Sequence, residues 1–191
     1  MESIPHPWKD LSKYVDARVK EAFYEFELAE KFLENGLYRN AAGKAFQGWK
    51  ATLAVLAANS RSELTREFSG FVKLKERIRV ETVDFIIAVM PTTHMKKVAM
   101  ILGRRYGNDV VLLTELALDI HEFQYNGLDR EGVLSRYLGL DMVRQDITTI
   151  IEGGRKILSS VIGRSTLERI MGLIIIGTIP PDTPDKQFSA S

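Results

Sequence analysis

"AEKFLENGLYRNAAGKAFQGWKATLAVLAA", residues 29–58, carries two helical periods with one stop between them. Reading back toward the N-terminus, Val15, Val19, Ala22, Phe26, Ala29 and Leu33 recur at steps of three and four. That spacing draws one apolar stripe on a helix of 3.6-residue period, and Lys20, Glu21, Glu27, Lys31 and Glu34 fall mostly off it. Asn35-Gly36 then supplies residues tolerant of positive φ, the usual helix stop. From Tyr38 onward Ala42, Ala45, Trp49, Leu53 and Leu56 form a second stripe in an alanine-rich segment that favours helix. A linker of about two residues favours antiparallel neighbours, so the stretch reads as a helical hairpin.

The rest of the chain follows the same punctuation. A helix is expected from Ser60, with Ser60 and Glu63 spaced as a capping box, running with one break near Gly70 to the residues before Pro91. Proline lacks the amide donor and disfavours helix in the residue before it, so Pro91 interrupts the run. Thr92 or Thr93 caps the next helix, whose apolar content is Val98, Met100, Ile101 and Leu102. Asn108 or Asp109 opens another, with the stripe Leu112, Leu116, Ile120 and Phe123 and a stop at Asn126-Gly127. Residues 128–139 read as a loop with a short turn around Ser135 to Leu138. A further helix holds Val143, Ile147, Ile150, Ile151, Ile157 and Leu158. Its Gly153-Gly154 pair costs roughly 1 kcal/mol per glycine against alanine, which a close helix contact would offset. Ser165 and Glu168 make a second capping box for a short helix to Ile176, and the tail "PPDTPDKQFSAS" is expected to be disordered. No run shows the strict alternation of an exposed strand. The expectation is an all-α, antiparallel up-down helical bundle of about five to seven helices. Residues 1–10 form an N-terminal tail, 11–178 a single domain and 179–191 a disordered C-terminal tail.

Composition narrows the function classes. Of 191 residues 45% are hydrophobic and 27% charged, which excludes a wholly disordered chain and suits one core. A formal charge of +1 gives no global pull on nucleic acid, so such attraction must come from local clusters. The absence of cysteine rules out disulfides, thiolate metal sites and cysteine nucleophiles. The N-terminus lacks the pattern of a secretory signal, and "LIIIGTI" falls well short of the roughly 20 apolar residues of a spanning helix. Cytoplasmic residence without a membrane partner is expected. His6, His94 and His121 are scattered, Leu118 stands where a Glu-x-x-His motif would need glutamate, and neither glycine-rich phosphate loop occurs. No metal or cofactor is therefore expected. Two basic clusters remain: "KLKERIR", residues 73–79, and the pairs Lys96-Lys97 and Arg104-Arg105. A solvated helix face is the ordinary reading of such clusters, and phosphate contact is the alternative.

The hairpin at 29–58 resembles the opening of HEPN-domain proteins, with their alanine-rich pattern around a Gly-Leu-Tyr turn. "LALDIHEFQYNGLDREGVLSRYLGLDMVRQDI", residues 116–147, is similar to a multicopy archaeal family of HEPN-like proteins of unknown function, the PaREP type. The resemblance implies an antiparallel helical bundle that forms homodimers. Many HEPN members are metal-independent ribonucleases of toxin–antitoxin and defence systems; others bind nucleotides or assist a partner nucleotidyltransferase. Their ribonucleases place arginine four to six residues before histidine, often with an aromatic two places on. Histidine there works as acid or base, and arginine stabilises the charged phosphorane. His121 with Phe123 resembles the second half of that motif, while Thr114, Glu115 and Leu116 occupy the arginine positions.

The expected function is accordingly a non-catalytic homodimeric binding module for RNA, a nucleotide or a partner protein such as a nucleotidyltransferase. The alternative is an atypical metal-independent endoribonuclease centred on His121. Tyr125, Arg136, Tyr137, Arg104 and Arg105 are the candidate binding residues beside it. The bland alternative for His121 is a core residue whose ring bonds a carbonyl at a dimer interface.

Overall fold

The computed structural model describes residues 4–75 and 78–163. Within them lie seven helices: α1 Leu11–Glu34, α2 Tyr38–Asn59, α3 Arg61–Thr65, α4 Thr82–Val89, α5 Thr92–Tyr106, α6 Asp109–Asn126 and α7 Leu140–Val161. They form the all-α bundle expected from the periodicity. The axis is α2, against which α1, α6 and α7 all pack. Its residues 51–58 are buried on every side, which is why that segment is apolar all round instead of striped. Alanine at four of those eight positions keeps α2 thin enough for several neighbours at once.

Close approach depends on Phe26 of α1, which is fully buried. A Cβ on Gly48 of α2 would stand 2.5 Å from its ring, and so would a Cβ on Gly154 of α7. The ring is thus held between two helices at the places where each lacks a side chain. Gly153 does the same for Leu113 of α6, at 2.6 Å. The glycine pair has the close contacts that its helical position called for.

Residues 60–90 break near Gly70 as expected, but they are not helical on both sides of it. They form the short α3, then an antiparallel ribbon of β1 Phe71–Lys75 and β2 Ile78–Glu81, then α4. Val72, Leu74, Ile78 and Val80 alternate with Lys73, Arg79 and Glu81, a period of two that the capping-box spacing at Ser60 had masked. That box does not form: the Ser60 hydroxyl donates to the Tyr106 hydroxyl at 3.1 Å, and α3 has no side-chain cap. Arg61 fastens the segment instead, through both oxygens of buried Asp84 at 2.7 and 3.0 Å and Glu81 at 2.9 Å. The end of α4 is tied to α1, with the Tyr14 hydroxyl donating to the Ile87 carbonyl at 2.6 Å and Arg18 to that of Ala88.

The expected stripes of α5 and α6 are met in part, with Val98, Leu102, Ile120 and Phe123 buried. Met100 and Leu112 are exposed, and the inward positions belong to Met95, Val98, Ala99 and Leu102 of α5 and to Val110, Leu113, Ala117, Ile120 and Phe123 of α6. Neither Thr92 nor Asn108 caps through its side chain. Residues 128–139 form the expected loop, organised by Asp129, whose carboxylate accepts from the amides of Glu131, Val133 and Leu134. Around it Leu37, Leu128, Val133 and Leu138 are exposed at one end of the bundle. The expected helix from Ser165 to Ile176 and the C-terminal tail lie outside the described residues.

Candidate functional site

The site is set by how α2 and α6 register. The Trp49 indole donates to the Thr114 hydroxyl at 3.0 Å, which itself donates to the Val110 carbonyl at 2.7 Å. At the other end of α6, Arg39 donates to the free carbonyls of Gln124 and Tyr125. Cations are favoured at a helix C-terminus, so this contact pins the antiparallel pairing. Between these ties the missing side chain of Gly43 admits Gln124. Phe46 then meets His121 face to face, ring centres 4.0 Å apart and planes 16° from parallel. Tyr125, one turn on, presents its edge at 5.2 Å and 88°. It is 65% exposed, so the aromatic cluster opens to solvent.

His121 is half-buried, and its Nδ1 atom is buried with no hydrogen-bond partner among the described residues. Buried polar atoms are rarely left so, and such an exception calls for an explanation. Burial pulls the imidazole below its ordinary value; against it Gln124 pulls up, Lys50 adds to the lowering and Glu122 opposes. Lys50, one turn along α2 from Phe46, is likewise held below its usual value, by burial first and then by the charge of Arg18, with Glu21 opposing. No carboxylate forms an ion pair with it among the described residues. Two basic groups on neighbouring helices, both partly desolvated, thus feel one another's charge, with Glu122 opposing at His121 and Glu21 at Lys50.

A pH dependence follows. The folded protein holds His121 neutral more strongly than the unfolded chain does, so unfolding takes up a proton as pH falls through 6.5, the ordinary imidazole value. Stability from this residue is present above that window and lost below it. In urea titrations at about pH 7 and about pH 5, wild type should lose more stability than His121→Gln. Equal losses would contradict the buried neutral imidazole.

A family comparison fits this geometry into a wider set. The profile of the archaeal PaREP1/PaREP8 family matches residues 17–148. The chain belongs to that family. The match spans α1 from its second turn to the first turns of α7, so Phe46, Lys50, His121 and Tyr125 all fall inside it. No curated protein and no solved structure matches.

In this PaREP1/PaREP8 member the residues singled out from sequence divide. His121 and Tyr125 come together. Arg136 pairs with Asp119 and, at 3.9 Å, Glu122, on the flank of α6 away from Phe46. Tyr137 is a core residue, 2% exposed, whose hydroxyl donates to Asp146 at 2.8 Å; burial pushes its phenol well above the ordinary value. That placement removes it from any binding surface. Arg105 bonds Glu63 at 3.1 Å and the Asn59 carbonyl at 3.2 Å, on the far side of α5, and Arg104 is exposed nearby. Glu115 is drawn to Lys96 of α5 at 3.0 Å. Among the described residues Arg39 is engaged by the Gln124 and Tyr125 carbonyls and Arg136 by Asp119.

Sequence reasoning missed Phe46 and Lys50. Lys50 did carry a signal, being the sole charged residue between Lys44 and Arg61 in a helix otherwise fit for complete burial. Among the described residues no helix is long and apolar enough to cross a membrane, and no group of three or more metal-ligating side chains occurs.

Proposed function

We propose that this PaREP1/PaREP8 member is a HEPN-like, non-catalytic binding module that seats a nucleotide at the α2–α6 seam. The observation that carries the reading is the buried, unpartnered Nδ1 of His121, stacked on Phe46 beside exposed Tyr125, with half-buried Lys50 one turn along α2 from Phe46. A phosphate between Lys50 and His121 would supply an acceptor and negative charge, and its arrival would favour protonation of the imidazole. Tyr125 offers a ring on which a base can stack. The exposed apolar end around Leu37, Leu128, Val133 and Leu138 is the surface on which two copies would pair.

Cleavage is the weaker reading because a phosphorane needs preorganised positive charge, and among the described residues no arginine bonds to or stacks on His121. Titration of the purified protein with a fluorescent adenine nucleotide tests the proposal. Lys50→Met and His121→Ala should each weaken binding about tenfold, near 1.4 kcal/mol, with no cleavage of an oligoribonucleotide in either case. The same samples should sediment as dimers. Binding unchanged in both variants, or RNA cleavage that His121→Ala abolishes, would sink the proposal.

A further inference from the structure

The ribbon built by β1 and β2 is a second basic element, remote in sequence from His121. Its register sets Lys73 directly opposite Arg79 and Phe71 opposite Glu81, so these four share one face, while Val80 turns inward and is buried. Like charges directly opposite in a ladder destabilise the pairing. Neither Lys73 nor Arg79 forms an ion pair with a carboxylate among the described residues; Arg79 instead lies over the Phe71 ring, 5.1 Å from its centre. Residues 73–79 together carry four cations and one acid in a chain whose net charge is only +1. Phe71 is 63% exposed, an unusual position for a phenylalanine that has core available to it.

The same face borders a cavity of about 450 Å³ walled by Phe71, Arg79, Trp8 and Arg61. Two carboxylates, Glu81 and Asp84, also line it and are both engaged by Arg61, so with Arg79 the charges of the lining balance, and the excess of cations lies on the ribbon face outside it. Trp8, also in the lining, has His6 stacked on it at 4.4 Å and 7°. A cation row beside two aromatic walls is the combination that single strands use, the backbone running along the charges and bases stacking on the rings. A duplex keeps its bases stacked on each other and would leave Phe71 and Trp8 without a role.

The geometry points to the β1–β2 ribbon as a binding arm for single-stranded nucleic acid, phosphates on Lys73 and Arg79 and a base in the Trp8–Phe71 cavity. This inference stands on residues apart from Lys50 and His121 and goes beyond the nucleotide seat. Fluorescence anisotropy with labelled 12-residue oligo(U) and oligo(dT), and with a 12-base-pair duplex, tests it in the full chain.

Single strands should bind more tightly than the duplex, with affinity falling as salt rises. Lys73→Gln with Arg79→Gln should weaken single-strand binding about tenfold or more and flatten the salt dependence, by roughly 0.7 in slope per lost contact. Phe71→Ala should weaken it about fivefold or more at unchanged slope, as loss of one stacked base implies. All three substitutions lie on the open face, so helical circular dichroism should match wild type, and His121→Ala should retain oligonucleotide binding. Duplex binding as tight as single-strand binding, wild-type affinity in the ribbon variants, or no binding at about 50 mM salt would overturn the inference.

Discussion

Phe26→Ala should lower the stability of the bundle by about 3–5 kcal/mol, and its midpoint of thermal unfolding by on the order of 10 °C. The ring is fully buried, and the backbones of α2 and α7 come close to it at Gly48 and Gly154, so no side chain stands ready to fill the space it would leave. Cavities that cannot collapse sit at the costly end of the large-to-small range. The converse change is also informative. Gly154→Ala would place a methyl 2.5 Å from the ring, and overpacking of that kind costs about 1–3 kcal/mol. Combined with Phe26→Leu, the added methyl should be partly tolerated, so the double variant should lose less than the sum of the singles. Strict additivity in urea midpoints would contradict the three-helix contact.

Trp49→Ala is expected to be of similar size, about 3–5 kcal/mol, because it empties the centre of the α2–α6 seam and also removes the donor to Thr114. Trp49→Phe separates the two contributions. It keeps most of the apolar bulk and loses the hydrogen bond, while the Thr114 hydroxyl still donates to Val110; about 1–2 kcal/mol is expected. The nucleotide seat includes Lys50, the next residue of α2, and depends on the same register. Trp49→Ala should therefore weaken nucleotide binding under folded conditions, whereas Trp49→Phe should leave it within about twofold.

Much of this arrangement was legible from residue spacing. The α1–α2 hairpin, the glycine stops at Gly36 and Gly127, and the close contact at Gly153-Gly154 all rest on local chemistry that needs no knowledge of tertiary structure. The ribbon was missed because residues 71–81 alternate only briefly and lack the glycine or asparagine turn that announces a hairpin. The phases of α5 and α6 were misread in part for a related reason: each helix has apolar residues on more than one face, and only its neighbours decide which are covered.

The site shows the same limit. His121 stood out as a rare residue type near a recognisable motif, but Phe46 and Lys50 matter only because α2 and α6 run antiparallel in one register, a long-range fact. Tyr137 illustrates the opposite error, since a tyrosine in a polar loop looks available until Asp146 and Phe123 are seen to enclose it.

The central claim of the proposal is that Lys50 and His121 together seat a phosphate. Titration of His121 by nuclear magnetic resonance tests it most directly, with the protein free and saturated with an adenine nucleotide. In the free protein the imidazole should titrate below 6.5, and Lys50→Met should move it upward by removing a neighbouring positive charge. With nucleotide bound it should titrate above 6.5, since a phosphate favours the protonated ring. A His121 titration that nucleotide leaves unchanged would contradict the account.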